Sequence, residues 1–155
     1  MSIDKIVAKQ YRDKVNQAVR QFGGISMLPP EGWLRTIRTA LRMSGPQLAS
    51  RLGVTKARIS KAEKDEITGS LTIKTMQNMA EAMGCRFVYA VIPEAEVEEV
   101  IKRRAIQKAR EKVKSASTHM ALEAQTLSKD QLEFEIERIA AEIVEKMPSD
   151  LWSDK

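Results

Sequence analysis

The sequence predicts a mainly α-helical fold carrying one short strand, and three observations predict it. Apolar residues recur every three or four positions along most of the 155 residues, the signature of helices that bury one face. Gly, Pro, Ser and Thr interrupt that pattern where helices start and stop. Cys85 to Ile92 alone breaks the period, with Phe87, Val88, Tyr89, Val91 and Ile92 favouring an extended chain. Aromatic residues make up 5% of the chain, so the core must be aliphatic, built from Leu, Ile, Val, Ala and eight Met.

Ser2 to Phe22 reads as an amphipathic helix, with Ile3, Val7, Tyr11, Val15, Val19 and Phe22 at helical spacing. Gly23-Gly24 stops it, and Met27-Leu28-Pro29-Pro30 forms a stiff connector. A second helix starts near Glu31 and buries Trp33 or Leu34, Ile37 and Leu41. Ser44-Gly45-Pro46 supplies a cap and an early proline for a third helix, Pro46 to Leu52, which Gly53 ends after about two turns. Thr55 caps a fourth helix that runs to about Lys64, and Asp65 to Ser70 follows as a polar loop. A fifth helix covers about Thr72 to Met83, with Ile73, Met76, Met79, Ala80 and Met83 on one face, and Gly84 closes it.

The strand-like segment raises a physical question, because a lone strand leaves its backbone groups unpaired. The simplest partner is the same strand of a second copy, giving an antiparallel intermolecular β-ribbon with Phe87, Val88, Tyr89 and Val91 at the homodimer contact. The alternative is an extended segment tacked onto the helices. After Pro93 a long helix runs from Glu94 to about Leu122, acidic at its start and basic in its middle. Its apolar stripe is thin: Val97, Ile101, Ala105, Ala109 and Val113. Ser128 to Gln131 has capping-box spacing and starts a final helix with Leu132, Ile136, Ile139, Ile143 and Met147 on one side.

Charge is unevenly spread. Residues 1–92 hold 15 Lys/Arg against 7 Asp/Glu (+8), and residues 93–155 hold 11 against 14 (−3). A basic front half suits a polyanion, and an acidic tail suits a protein partner or solubility. No apolar run is long enough for a membrane span, and the charged N-terminus lacks a secretory signal, so a cytoplasmic protein is expected. One cysteine, Cys85, and one histidine, His119, give neither an internal disulfide nor a metal site, and no cofactor is expected. His119 lies among Ser115, Ser117 and Thr118, but no nucleophile and base accompany it at workable spacing, so no catalytic residue is assigned and no enzyme is expected.

The specific signal lies between Gln47 and Glu63. Two helices crossing through a tight turn need a small residue in the first, here Ala49. Four positions on they need one tolerant of positive φ, here Gly53, and six further an aliphatic to seat the second helix, here Ile59. Leu48 and Leu52 fill the space between. That pattern is a helix-turn-helix, whose second helix enters the major groove of double-stranded DNA. With Ile59 and Ala62 inward, the outward residues are Thr55, Lys56, Arg58, Ser60 and Lys61, and Lys and Arg there suit guanine edges. Ser44 and Gln47 are placed for phosphates, as are Arg38, Arg42 and Arg51. The competing reading is a solvated cationic face in a structural bundle.

Residues 32–84 resemble the phage-repressor (XRE-type) helix-turn-helix domain, through Met43-Ser44-Gly45-Pro46-Gln47-Leu48-Ala49, Arg51 to Thr55, Arg58-Ile59-Ser60 and Glu63. The chain is also similar to the bacterial mobile mystery protein A family, through Pro29, Pro30, Gly32 and Trp33, the Glu63 to Glu66 loop, Phe87 to Ala90, Met120-Ala121-Leu122-Glu123 and Leu151-Trp152. The resemblance implies a five-helix-type domain with a dimerisation strand over 29–92, preceded by a helix and linker over 1–28. A helical extension over 93–155 then makes dimer or partner contacts. It further implies a bacterial antitoxin and autorepressor paired with a Fic-domain toxin, with His119, Met120, Leu122, Glu123 and Trp152 as partner contacts. The Ser/Thr-xxx-Glu-Gly/Asn spacing of many Fic antitoxins is absent. Two other readings stay open: a stand-alone dimeric repressor whose tail only extends the dimer, and an inhibitory protein whose DNA affinity is incidental.

Overall fold

Five helices begin where a hydroxyl meets the unpaired amide three residues on. Ser2, Ser44, Thr55, Thr72 and Ser128 each accept from the third following residue, at 3.1–3.4 Å. Ser44 and Ser128 complete capping boxes, because Gln47 and Gln131 accept in return from the cap amides. The structure, a computed structural model, describes residues 2–25, 28–122 and 127–154, apart from the side chains of residues 117 and 119–122.

Among the described residues there are seven helices and no strand: α1 Ile3–Phe22, α2 Trp33–Ala40, α3 Gly45–Leu52, α4 Lys56–Thr68, α5 Ile73–Ala82, α6 Val97–Leu122 and α7 Lys129–Lys146. They form two compact units, Ile25–Ala90 and the discontinuous Met1–Gly24 with Val91–Lys155. None of the described helices is long and apolar enough to cross a membrane.

In the first unit, α2 to α5 close around Leu34, Leu48, Ala49, Ile59, Ala62, Met76, Met79 and Met83. Of the two candidates at the start of α2, Leu34 is buried and Trp33 is exposed. α4 continues one turn past Lys64, to Thr68. The Lys61–Asp65 pair (2.8 Å) spans that turn, and Gly69 ends it in the left-handed region.

In the second unit, α6 and α7 form an antiparallel hairpin over Ile101, Ala105, Ala109, Val113, Ile136, Ala140, Ile143 and Leu151. Ala105 and Ala109 are fully buried, the small residues that let two helices approach closely. α1 joins through Asn16, whose Oδ1 accepts from the first amide of α6, Val97 N–H, at 2.9 Å. The Asn16 amide also donates to Glu98 at 2.8 Å, and that bond is the main cause holding the Glu98 carboxyl below its ordinary range. Arg104 ties the C-terminal segment down, donating to the carbonyls of Leu151 (2.7 Å) and Ser153 (3.0 Å) and to Asp154 (2.9 Å).

The expected strand is overturned. Cys85 to Pro93 has no regular structure, and the fold is purely helical over the described residues. The misleading signal was composition: β-branched and aromatic residues suit any half-buried surface, not only a ladder. Here Cys85 and Phe87 pack on the core of the first unit, and Phe87 stacks on Tyr89 with ring centroids 5.6 Å apart. Val88, Tyr89 and Val91 are exposed. With no strand, the β-ribbon through Phe87, Val88, Tyr89 and Val91 is withdrawn.

Candidate nucleic-acid interface

The turn between α3 and α4 is set by one glycine and two caps. Gly53 ends α3 at φ 68°, ψ 32°, a conformation in which a Cβ costs roughly 1–2 kcal/mol. Val54 N–H then reaches Ala49 O at 2.9 Å, and Thr55 caps the next helix. Leu48, Ala49 and Ile59 are buried at the crossing. Their burial fixes the rotation of α4, leaving Thr55, Lys56, Arg58, Ser60 and Lys61 exposed on its outward side. The stem of Lys56 runs past the start of α3, with Cγ 3.9 Å from where a Cβ on Gly45 would stand. Lys64, also exposed, extends the Lys56–Ser60 row by one more turn. It was not singled out from sequence, although four-residue spacing would have found it.

The other sequence-selected positions fall into two groups. Ser44, Gln47 and Arg42 are exposed around the ends of α2 and α3, with Arg42 at positive φ. In the capping box the Gln47 carbonyl is occupied by Ser44 N–H, so its amide nitrogen is the end left to donate outward. Arg51 is exposed, but its Nε donates to Ala82 O at 2.7 Å. Arg38 is turned inward. It binds both oxygens of Glu63, Nε at 2.6 Å and Nη2 at 3.1 Å, and its Nη1 donates to Met43 O at 3.0 Å. The hydrogen bond to Glu63 is the first cause raising the Arg38 pKa above its ordinary value. This partly buried pair fastens α4 to α2 beside the core.

Glu66 is a second fastening that sequence reasoning missed. α2 starts at Gly32, which has no capping side chain. Instead the Glu66 carboxylate, reaching across from α4, accepts from Trp33 N–H at 2.7 Å and Leu34 N–H at 2.8 Å. Gly32 makes room for it: its φ is +81°, and an added Cβ would lie 3.0 Å from Oε1. Glu63, Asp65 and Glu66 thus bind Arg38, Lys61 and the start of α2 in turn.

Charge follows the two units. Residues 25–90 hold 10 Lys/Arg against 5 Asp/Glu, and the remainder hold 16 against 16, so the whole net charge of +5 sits with α2–α5. Among the partner-contact candidates, Trp152 is exposed, with the Arg104 guanidinium 5.9 Å from its ring centre. Glu123 lies outside the described residues, as do the side chains of His119, Met120 and Leu122. Among the described residues no group of three His, Cys, Asp or Glu is placed to hold a metal ion.

A short capped helix, a left-handed glycine turn and a second helix with a cationic outer face define a helix-turn-helix DNA-binding domain. Residues 34–89 match the family model described as helix-turn-helix, 56 of the 155 residues. Domains of this type belong to DNA-binding regulators and are not catalytic. No curated protein and no solved structure matches the chain.

Proposed function

We propose that the chain is a sequence-specific repressor that reads an inverted-repeat operator in double-stranded DNA with α4 from each of two copies. The exposed face of Thr55, Lys56, Arg58, Ser60 and Lys61, held outward by buried Ile59 and Ala62, is the observation that carries this reading. Lys56 and Arg58 near the start of α4 donate to guanine O6 and N7, while Ser44, Gln47, Arg42 and Arg51 meet the phosphates. The concentration of positive charge in residues 25–90 supports attraction to the backbone. A single helix spans only a few base pairs, which is why two copies on half-sites roughly 34–36 Å apart, or a multiple, are needed for specificity.

We further propose that the chain is the antitoxin of a pair with a Fic-domain toxin and represses their shared promoter. The likeness of Met120 to Glu123 and of Leu151-Trp152 to the mobile mystery protein A tail supports this. With the usual glutamate-bearing inhibitory spacing absent, neutralisation uses another surface of the helical extension. The test is a shift assay on DNA upstream of the gene, with full-length chain alone and after co-purification with the adjacent gene product. A shift by both supports the whole reading. A shift without co-purification leaves a stand-alone repressor, and no shift refutes the DNA reading.

A further inference from the structure

The α6–α7 hairpin opens at its loop end into a cleft of about 510 Å³. Its floor is apolar, made of Val113, Leu132 and Ile136, which belong to the hairpin core. Thr118, one turn beyond Lys114, also lines the cleft, with its hydroxyl bonded back to Lys114 O at 2.9 Å. Arg110 and Lys114, one turn apart, form the α6 rim, and Lys129 and Glu133, one turn apart, form the α7 rim. Three cations therefore face one carboxylate. Among the described residues none of these four has an ion-pair partner, as is also true of Lys102, Lys108 and Lys112 elsewhere on α6.

We propose that this cleft docks an acidic, amphipathic segment of a protein partner. One large apolar side chain of that segment covers Val113, Leu132 and Ile136, and flanking carboxylates meet Arg110, Lys114 and Lys129. The apolar floor argues for a peptide and against nucleic acid, since a phosphate backbone would use the rim and leave the floor wet. The excess of rim cations sets the sign of the segment. The inference deepens the partner-binding reading of the helical extension, and rests on that reading only for which protein supplies the segment.

The test uses full-length protein and three labelled synthetic 14-residue peptides: one with Leu at helical spacing among Glu, one with every Glu replaced by Lys, and one with every Leu replaced by Ala. Fluorescence anisotropy measures binding, and methyl NMR of Val113, Leu132 and Ile136 reports where. The acidic Leu peptide should bind, shift those methyls and weaken as salt rises. Arg110→Glu/Lys114→Glu, both exposed positions, should weaken it at least tenfold with operator binding unchanged. Equal binding of the Glu and Lys peptides, indifference to the charge reversal, or methyl shifts elsewhere would overturn the proposal. So would a concentration-dependent doubling of mass that the reversal abolishes, which would make the occupant a second copy's acidic α7. If the reversed variant still holds the adjacent gene product as wild type does, the cleft assignment fails while the partner reading stands. If the peptide binds the cleft but no gene product is held, the cleft stands and that partner falls.

Discussion

Replacing Glu66 tests whether α4 is held in register by the start of α2. The carboxylate accepts two amide hydrogens at 2.7 and 2.8 Å from a helix that has no cap of its own. Loss of a capping acceptor costs about 0.5–2 kcal/mol, and loss of an anion at a helix N-terminus roughly 0.3–1 more. Water recovers part of this at Trp33, which is exposed, so Glu66→Ala should cost about 1–2.5 kcal/mol. Gly32→Ala carries two separate penalties. One is the positive-φ extended backbone at φ +81°, ψ 159°, a region essentially confined to glycine, roughly 1–3 kcal/mol. The other is the collision of its Cβ with the Glu66 carboxylate, 3.0 Å away, which pushes the cap off its amides. In a Glu66→Ala background only the backbone penalty remains. The double variant should therefore be about 1 kcal/mol more stable than the two single losses predict, read from urea midpoints at constant slope. Additive losses within about 0.3 kcal/mol would refute the shared mechanism, and so would a Glu66→Ala cost below about 0.5 kcal/mol.

Other consequences follow from the same geometry. Glu63→Ala leaves the partly buried Arg38 guanidinium without its carboxylate and should cost about 1–3 kcal/mol, whereas Arg38→Met/Glu63→Leu should cost less than the single change; thermal unfolding of the three proteins checks the order. Arg104→Ala removes three acceptors' donor and should free the C-terminal segment, seen as faster hydrogen exchange around Leu151 and altered Trp152 fluorescence. Glu98 has its folded pKa lowered, so its contribution is present above the ordinary carboxylate value of 4.5 and is lost as pH falls through the lowered one. The stability gap between wild type and Glu98→Gln should accordingly narrow in acid, and a gap that widens there would reverse the sign.

What the sequence disclosed depended on range. The caps at Ser2, Ser44, Thr55, Thr72 and Ser128 are complete within four residues, so spacing alone reveals them. The offsets of Ala49, Gly53 and Ile59 are likewise local, and the outward face of α4 followed from them. The helices α2 and α6 were placed to within two or three residues, but their capping acceptors were hidden, because these come from Glu66 and Asn16, more than thirty and eighty residues away in the chain. Arg38 and Arg42 look alike in sequence, and only the fold distinguishes the one bound to Glu63 from the one in solvent. Asp65 to Thr68 read as a loop because Asp65 and Gly69-Ser70 are turn residues, yet the turn is helical and carries Glu66, bound to the start of α2, and Asp65, paired with Lys61. The segment after Gly84 failed for a different reason: extended propensity is a statement about side-chain packing, and Phe87 found its packing on the helices.

Whether α4 reads bases is measured most directly by comparing the affinities of wild type and Arg58→Ala for the upstream operator and for a scrambled duplex at one salt concentration. Arg58→Ala should lower operator affinity by about 1–3 kcal/mol, roughly five- to 150-fold, while scrambled-duplex affinity changes far less. Equal losses on both duplexes would make Arg58 a phosphate contact, and no loss on either would contradict the assignment of α4 as the recognition helix.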